Sequence, residues 1–373
     1  MRDTPPPEAD HDAALWMDDP GAREPALPFV PSSRPLATHP PGRHRLLRPE
    51  DYLPVHLDPP ERGWQHLAFR LGAHRVHPGG RELRNRTWRR LIRRPMRSPK
   101  IIAVFSPKGG VGKSTTTIEL GHVLAQVRGD LVAAVDANPD SGNLVKRMRE
   151  PYSTYGIDDL HRDASRLSRH SDLLPYLTQD DNGLSVVRSA TGAGERLGPE
   201  GYRQVLDVLS RFYTVILVDL GTGMREAAFL SIVDRADALV AVTHPTFDAA
   251  EVAIEGIDWL RRRFAGKIGA GTLVLNAIEP RYPKVNADRL ATEFGKHMVH
   301  VLRVPRDPHL ARGGAPQWTL LDNRTQDAYM VLAATVIDGM PDEASRSAGP
   351  SGTVTHPAGT GTGNGAGRRG YLQ

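Results

Sequence analysis

One stretch of the chain combines residue types and spacing that specify a chemistry: "FSPKGGVGKSTTTIEL", residues 105–120. Gly109, Gly110 and Gly112 carry no Cβ, so the backbone N–H groups around them and Val111 can turn inward on an anion. A helix starting near Lys113 adds its positive N-terminal end to the same point. Lys113 can then reach the β- and γ-phosphates of a nucleotide, the Ser114 hydroxyl can ligate Mg2+, and Thr115 can hydrogen-bond the α-phosphate. The loop also holds a second lysine, Lys108, where one lysine suffices to hold a nucleotide phosphate.

Such a loop has this meaning only between a strand and a helix. Here the apolar run "IIAVFS" enters it and a helical pattern over residues 115–126 leaves it. Six further short apolar runs follow: "LVAAVD", "LSVVRS", "TVILVDL", "ALVAVTH", "TLVLNA" and "HVLRVP". Helical patterns lie between most of them, including residues 249–264. Continuous apolar strands separated by helices imply a doubly wound α/β fold: a mostly parallel sheet covered on both faces, with ligands beyond the carboxyl ends of its strands.

The chain reads as four regions. Residues 1–60 hold 14 of the 31 prolines and are expected to be disordered. Residues 61–99 are basic and partly helical, residues 100–340 form the phosphate-loop domain, and residues 341–373 are a Gly-rich tail expected to be disordered. The absence of cysteine excludes disulfides, thiolate metal sites, cysteine nucleophiles and thiolate-held clusters. The 15 histidines show no H-E-x-x-H spacing, and there is no serine-hydrolase elbow. No run approaches the roughly 20 apolar residues of a membrane span, and the acidic, proline-rich start does not read as a secretory signal, so a cytoplasmic chain is expected.

With Pro107 and Lys108 standing where the common loop begins with glycine, the sequence resembles the ParA/MinD-type ATPases, whose deviant loop reads K-G-G-x-G-K-[ST]. The resemblance covers about residues 100–340. It implies ATP and Mg2+ as cofactors and an ATP-dependent homodimer, with Lys113 serving its own nucleotide and Lys108 crossing to the nucleotide of the other subunit. A triphosphate–Mg2+ site held between two chains keeps net negative charge, which a second cation offsets. The resemblance also implies that Asp136, in "LVAAVDANPDSGNL", belongs to the second acidic motif, and that Asp219, in "TVILVDLGTG", acts on Mg2+ through water. Ser114, Asp136 and Asp219 are thus the expected metal-side residues, and Asn276, Pro305 and Arg306 the expected adenine-side residues.

One position departs from that pattern. The family's second motif is typically D-x-D-P, and its second Asp positions or activates the attacking water. Here the residue is Asn138. An amide orients water but does not accept a proton as a carboxylate does. Slow basal turnover with intact ATP binding is therefore expected.

Residues 81–100 contain nine basic residues and one Glu, so the chain's excess positive charge belongs to this segment. On a helical wheel "RELRNRTWRRLIRR" gathers Trp88, Leu91 and Ile92 within about 100°. Three readings stay open: docking on the core, an anionic membrane surface, or nucleic-acid phosphate. The order of "GWQHLAFRLG", the basic segment, the loop and "RGDLVAAVDANPDSGNL" is similar to the MinD-like ATPases associated with actinobacterial type VII (ESX) secretion. That likeness implies a switch acting in positioning or assembly of a secretion apparatus, with a secretion-system or membrane protein as partner and recruitment to the inner face of the membrane. Two rivals remain: a partitioning ATPase that binds DNA nonspecifically, and a scaffold that needs ATP but does not hydrolyse it.

Overall fold

All seven apolar runs form strands, and all seven are parallel. They are β1 (Lys100–Phe105), β2 (Val132–Ala137), β4 (Leu184–Val187), β5 (Val215–Leu220), β6 (Ala238–Thr243), β7 (Thr272–Asn276) and β8 (His300–Val304). A two-residue strand, β3 (Thr178–Gln179), adds an antiparallel edge that the sequence pattern does not signal. The order across the sheet is β3-β4-β2-β5-β1-β6-β7-β8. The structure, a computed structural model, describes residues 79–138, 142, 144–149, 151–190, 196–277 and 287–340. The proline-rich region, the "GWQHLAFRLG" segment and the Gly-rich tail lie outside them. The chain divides into Met1–Leu57 and Asp58–Gln373, and every described residue belongs to the second unit.

Every residue of β1, β2 and β5 is buried because helices cover both faces of the sheet. Strand alternation assigns the faces. Ile101, Ala103 and Phe105 of β1 join one core, with Ala133, Val135, Ile216 and Val218. Ile102 and Val104 join the other, with Val132, Ala134, Val215 and Leu217. The same alternation sends Asp136 and Asp219 to the second face. That face carries α2 (Lys113–Arg128), the helix that follows the glycine loop. Strand β1 sits between β5 and β6; the chain leaves β1 towards β2 on one side and leaves the neighbouring β5 towards β6 on the other, so the loop after β1 opens at a topological switch point.

Helix α2 begins at Gly112 and ends at Gly129, both in the left-handed conformation that favours glycine, and the Gly129 N–H closes the last turn on Ala125 O. Nearly all of it is buried, as suits a helix between a sheet and other helices.

The basic segment forms α1 (Gly80–Ile92). Trp88 and Ile92 enter the core beside α2 and α10 (Asn323–Asp338). Burying one such side chain stabilises by about 1.5–3 kcal/mol. Several basic residues hold the joint. Arg81 Nε bonds both oxygens of Asp327 at 2.9 and 3.1 Å, Arg93 Nε donates to Val127 O at 2.7 Å, and Arg128 Nη1 donates to Ile92 O at 2.6 Å. Arg84, Arg90 and Arg97 stay exposed. The remaining helices are α3 (Ile157–Asp163), α4 (His170–Leu173), α5 (Pro199–Ser210), α6 (Ala227–Arg235), α7 (Phe247–Gly269), α8 (Ala287–Phe294) and α9 (Pro308–Ala311).

Candidate functional site

Gly110 (φ 77°) and Gly112 (φ 85°) take left-handed backbone angles that bend the loop after β1 back over the start of α2. A Cβ built on Gly109 or Gly110 meets nothing within 4 Å, so this stretch of backbone faces open space. Three side chains of α2 converge on one carboxylate at the end of β5. Lys113 Nζ lies 2.6 Å from Asp219 Oδ1, Ser114 Oγ donates to Oδ2 at 2.6 Å, and Thr117 Oγ1 donates to Oδ1 at 3.2 Å. Asp219 is buried, so this pairing supplies the compensation that its charge requires. A glycine loop with a lysine, a hydroxyl and a carboxylate at its foot fits Mg2+ and a nucleotide phosphate, since Mg2+ takes oxygen ligands. Thr115 is buried beside them.

The extra lysine is held by its backbone. Ser106 Oγ accepts from Lys108 N at 3.2 Å and donates to Lys108 O at 2.9 Å. Ser106 is fully buried, and nothing in its residue type or spacing singles it out in the sequence. Pro107 packs on α7, where a Cβ at Gly256 would lie 3.1 Å from Pro107 Cβ. The Lys108 residue itself is half-buried.

Asp136 and Asp219 are paired across β2 and β5, so two buried carboxylates are neighbours. Their bonding differs. Asp136 accepts backbone donors from the loop that follows it, Asn138 N at 3.2 Å and Leu144 N at 3.0 Å. A Cβ on Gly142 would stand 2.3 Å from Asp136 Oδ2, so the loop needs glycine there to pass so close. Burial, and next the charge of Asp219, push the Asp136 carboxyl up to about 6. Asn138 is half-buried directly beyond β2.

The other candidates gather at the ends of β7 and β8. Asn276 and Val304 are register partners, and Ala277 N donates to Val304 O at 3.0 Å. Asn276 Nδ2 donates to Val111 O at 2.9 Å, which ties the strand end to the glycine loop. Pro305 is half-buried and Arg306 exposed just past β8. The buried Asp307 braces this turn by accepting from His309 N at 2.8 Å, Leu310 N at 3.3 Å and Asp322 N at 2.9 Å. Its N-cap position, an Asp followed by Pro at the first turn of a helix, is a signal the sequence does contain. All the nucleotide-site candidates read from the sequence thus lie at the carboxyl ends of β1, β2, β5, β7 and β8 or in the loop and helix that follow β1.

Among the described residues no helix is long and apolar enough to cross a membrane. A model of the CobQ/CobB/MinD/ParA nucleotide binding domain matches residues 102–316. The ESX-1 secretion-associated protein EspI of Mycobacterium tuberculosis is 29% identical over 283 residues, which is 74% of this chain and 42% of EspI. The septum site-determining protein MinD of Synechocystis is 28% identical over 191 residues, covering 50% of this chain and 68% of that protein. In fold, the chain is similar to a ParA family ATPase from Chlorobium tepidum, with a TM-score of 0.55 and 19% identity over 63% of this chain and 98% of that one. This chain therefore spans less than half the length of the EspI proteins it matches.

Proposed function

The chain belongs to the CobQ/CobB/MinD/ParA nucleotide-binding family, and from that membership we propose that it is a Mg·ATP-dependent dimeric switch that hydrolyses ATP slowly. The observation that carries the reading is the convergence of Lys113, Ser114 and Thr117 on Asp219 beneath an open glycine loop. Bound Mg·ATP supplies a γ-phosphoryl group for transfer to water. Lys113 would hold phosphate in place of its bond to Asp219, and Ser114 and Asp219 would hold the Mg2+ side. Asn138 would orient the attacking water without taking its proton, which would pass to the phosphate or to solvent, so turnover would be slow. Asn276, Pro305 and Arg306 receive the base, and Lys108 reaches the nucleotide of a second copy. Similarity to EspI supports a role in positioning or assembling a type VII secretion apparatus, with a secretion-system or membrane protein as the partner that times hydrolysis.

The test is nucleotide binding and ATP turnover by the full chain, with light scattering to read its mass and Lys113→Ala as the blank. Expected are Mg2+-dependent binding, slow turnover, and a doubling of mass with ATP that Lys108→Ala removes while binding persists. A stable ATP dimer in Lys108→Ala would overturn the cross-subunit role. Turnover strongly stimulated by double-stranded DNA would favour a partitioning ATPase instead.

A further inference from the structure

His244, immediately beyond β6, is a buried histidine that the nucleotide reading does not use. Its Nδ1 stands 3.0 Å from the carbonyl oxygen of Asn276, the last residue of β7. A carbonyl only accepts, so Nδ1 carries the hydrogen and donates it. The N–H of the same peptide unit, that of Ala277, donates to Val304 O at 3.0 Å. The Asn276–Ala277 peptide is therefore gripped at both ends, by the turn after β6 and by the end of β8. Strand β7 lies between those two strands, so the grip ties three neighbouring strands at their carboxyl ends.

The Asn276 side chain is held as well. Its Nδ2 donates to Val111 O at 2.9 Å, in the phosphate loop between the left-handed Gly110 and Gly112. An acceptor at that point fixes which way round the amide lies: the nitrogen faces Val111 and the oxygen is turned from it. Oδ1 bonds nothing among the described residues, and Nδ2 keeps a second hydrogen. Asn276 is buried, so a fixed amide presents one acceptor in one direction. Purine nucleotides differ in what they offer an amide. An amino group on the six-membered ring donates to the amide oxygen, whereas a carbonyl at the same atom meets it as a second acceptor. A buried acceptor left facing an acceptor is penalised, so the orientation of the amide decides which purine is taken. Turning the amide over breaks the bond to Val111, and shifting it bodily requires the peptide that His244 and Val304 hold to move.

We infer that His244 is a positioning residue for base selection: by holding the Asn276 carbonyl it keeps the Asn276 amide on Val111 O with its oxygen free, so that the site takes an aminopurine and rejects an oxopurine nucleotide. The inference rests on the Mg·ATP reading, so its test separates the two. Equilibrium dialysis of the full chain against ATP and against ITP, each with Mg2+, reads the two affinities. ITP carries oxygen where ATP carries the amino group, and its phosphates are the same. The unaltered protein binds ATP about tenfold or more tightly than ITP. His244→Phe keeps a ring and removes the donor; the ratio falls at least about threefold, while ITP binding changes by less than about twofold. His244→Asn sets an amide N–H where Nδ1 stood and keeps the ratio, and Asn276→Ala brings it near one. Equal weakening of ATP and ITP in His244→Phe overturns the inference, as does an unchanged ratio. The unaltered protein and His244→Asn carry the test even where His244→Phe folds poorly. Loss of the ratio in His244→Asn, or equal affinity for ATP and ITP in the unaltered protein, overturns the inference and leaves nucleotide binding standing. Binding of neither nucleotide overturns the Mg·ATP reading and the inference with it.

Discussion

The first turn of α2 and the middle of the same helix treat polar groups in opposite ways. In the first turn, Lys113, Ser114 and Thr117 share one carboxylate, so charge and hydrogen bonds are satisfied within the site. In the middle, the fully buried Glu119 has His122 Nδ1 3.4 Å from its Oε1, and the same ring bonds through Nε2 to Asp180 on the turn after β3. The first arrangement places donors where anionic charge is to be held, with little reorganisation left for the moment of reaction. The second sets one histidine between two carboxylates, sealed from solvent. One helix thus carries side chains gathered on one carboxylate at its start and a closed cluster of one histidine and two carboxylates further along.

The sharpest break of this contrast is at Asp219. Asp219→Asn removes the charge on which the first turn converges, and ATP turnover is expected to fall at least about a hundredfold, as for loss of one preorganised electrostatic contact; steady-state phosphate release reads this. Next is His122, whose pKa is raised to about 9: burial opposes the charge, but the bonds to Asp180 and Glu119 and their charges outweigh it. The folded value lies above the ordinary 6.5, so this stabilisation is fully present below pH 6.5 and is lost as pH rises through about 9. It amounts to about 3 kcal/mol, and His122→Ala should remove both the stability and its pH slope, as urea unfolding at pH 6 and above pH 9 would show.

Asp136 gives a slope of the same sign at lower pH. Its folded pKa of about 6 lies above the ordinary 3.8, so the nucleotide-free protein is most stable where Asp136 is protonated and loses stability as pH rises toward and through 6. The change is about 2–3 kcal/mol, and Asp136→Asn should flatten that part of the unfolding curve. An unaltered slope in Asp136→Asn would mean that another group carries it. The smallest effect belongs to Arg81, far from the contrast. Its bonds to Asp327 lie at a partly exposed joint, and Arg81→Ala should cost under about 1 kcal/mol in thermal unfolding.

Local pattern carried much of this protein. The apolar runs, the glycine loop and the acids at strand ends are written in consecutive residues. Side-chain alternation along a strand then suffices to put Asp136 and Asp219 on one face. The docking of Trp88 and Ile92 was one of three open readings of the basic segment, because a helical wheel shows which face is apolar and not what covers it. Strand β3 left no signal, since two residues give no period to read.

The rest depends on which distant residues meet. Asp136 and Asp219 resemble each other in sequence, but only the fold hands one to backbone donors of its own loop and the other to the side chains of α2. The tie from Asn276 to Val111 O, across 165 residues, likewise exists only once the sheet is assembled. Spacing along a chain specifies which groups are available and on which face they lie. The distance between them across strands and helices, and hence their charge state and their work, is decided by the packing.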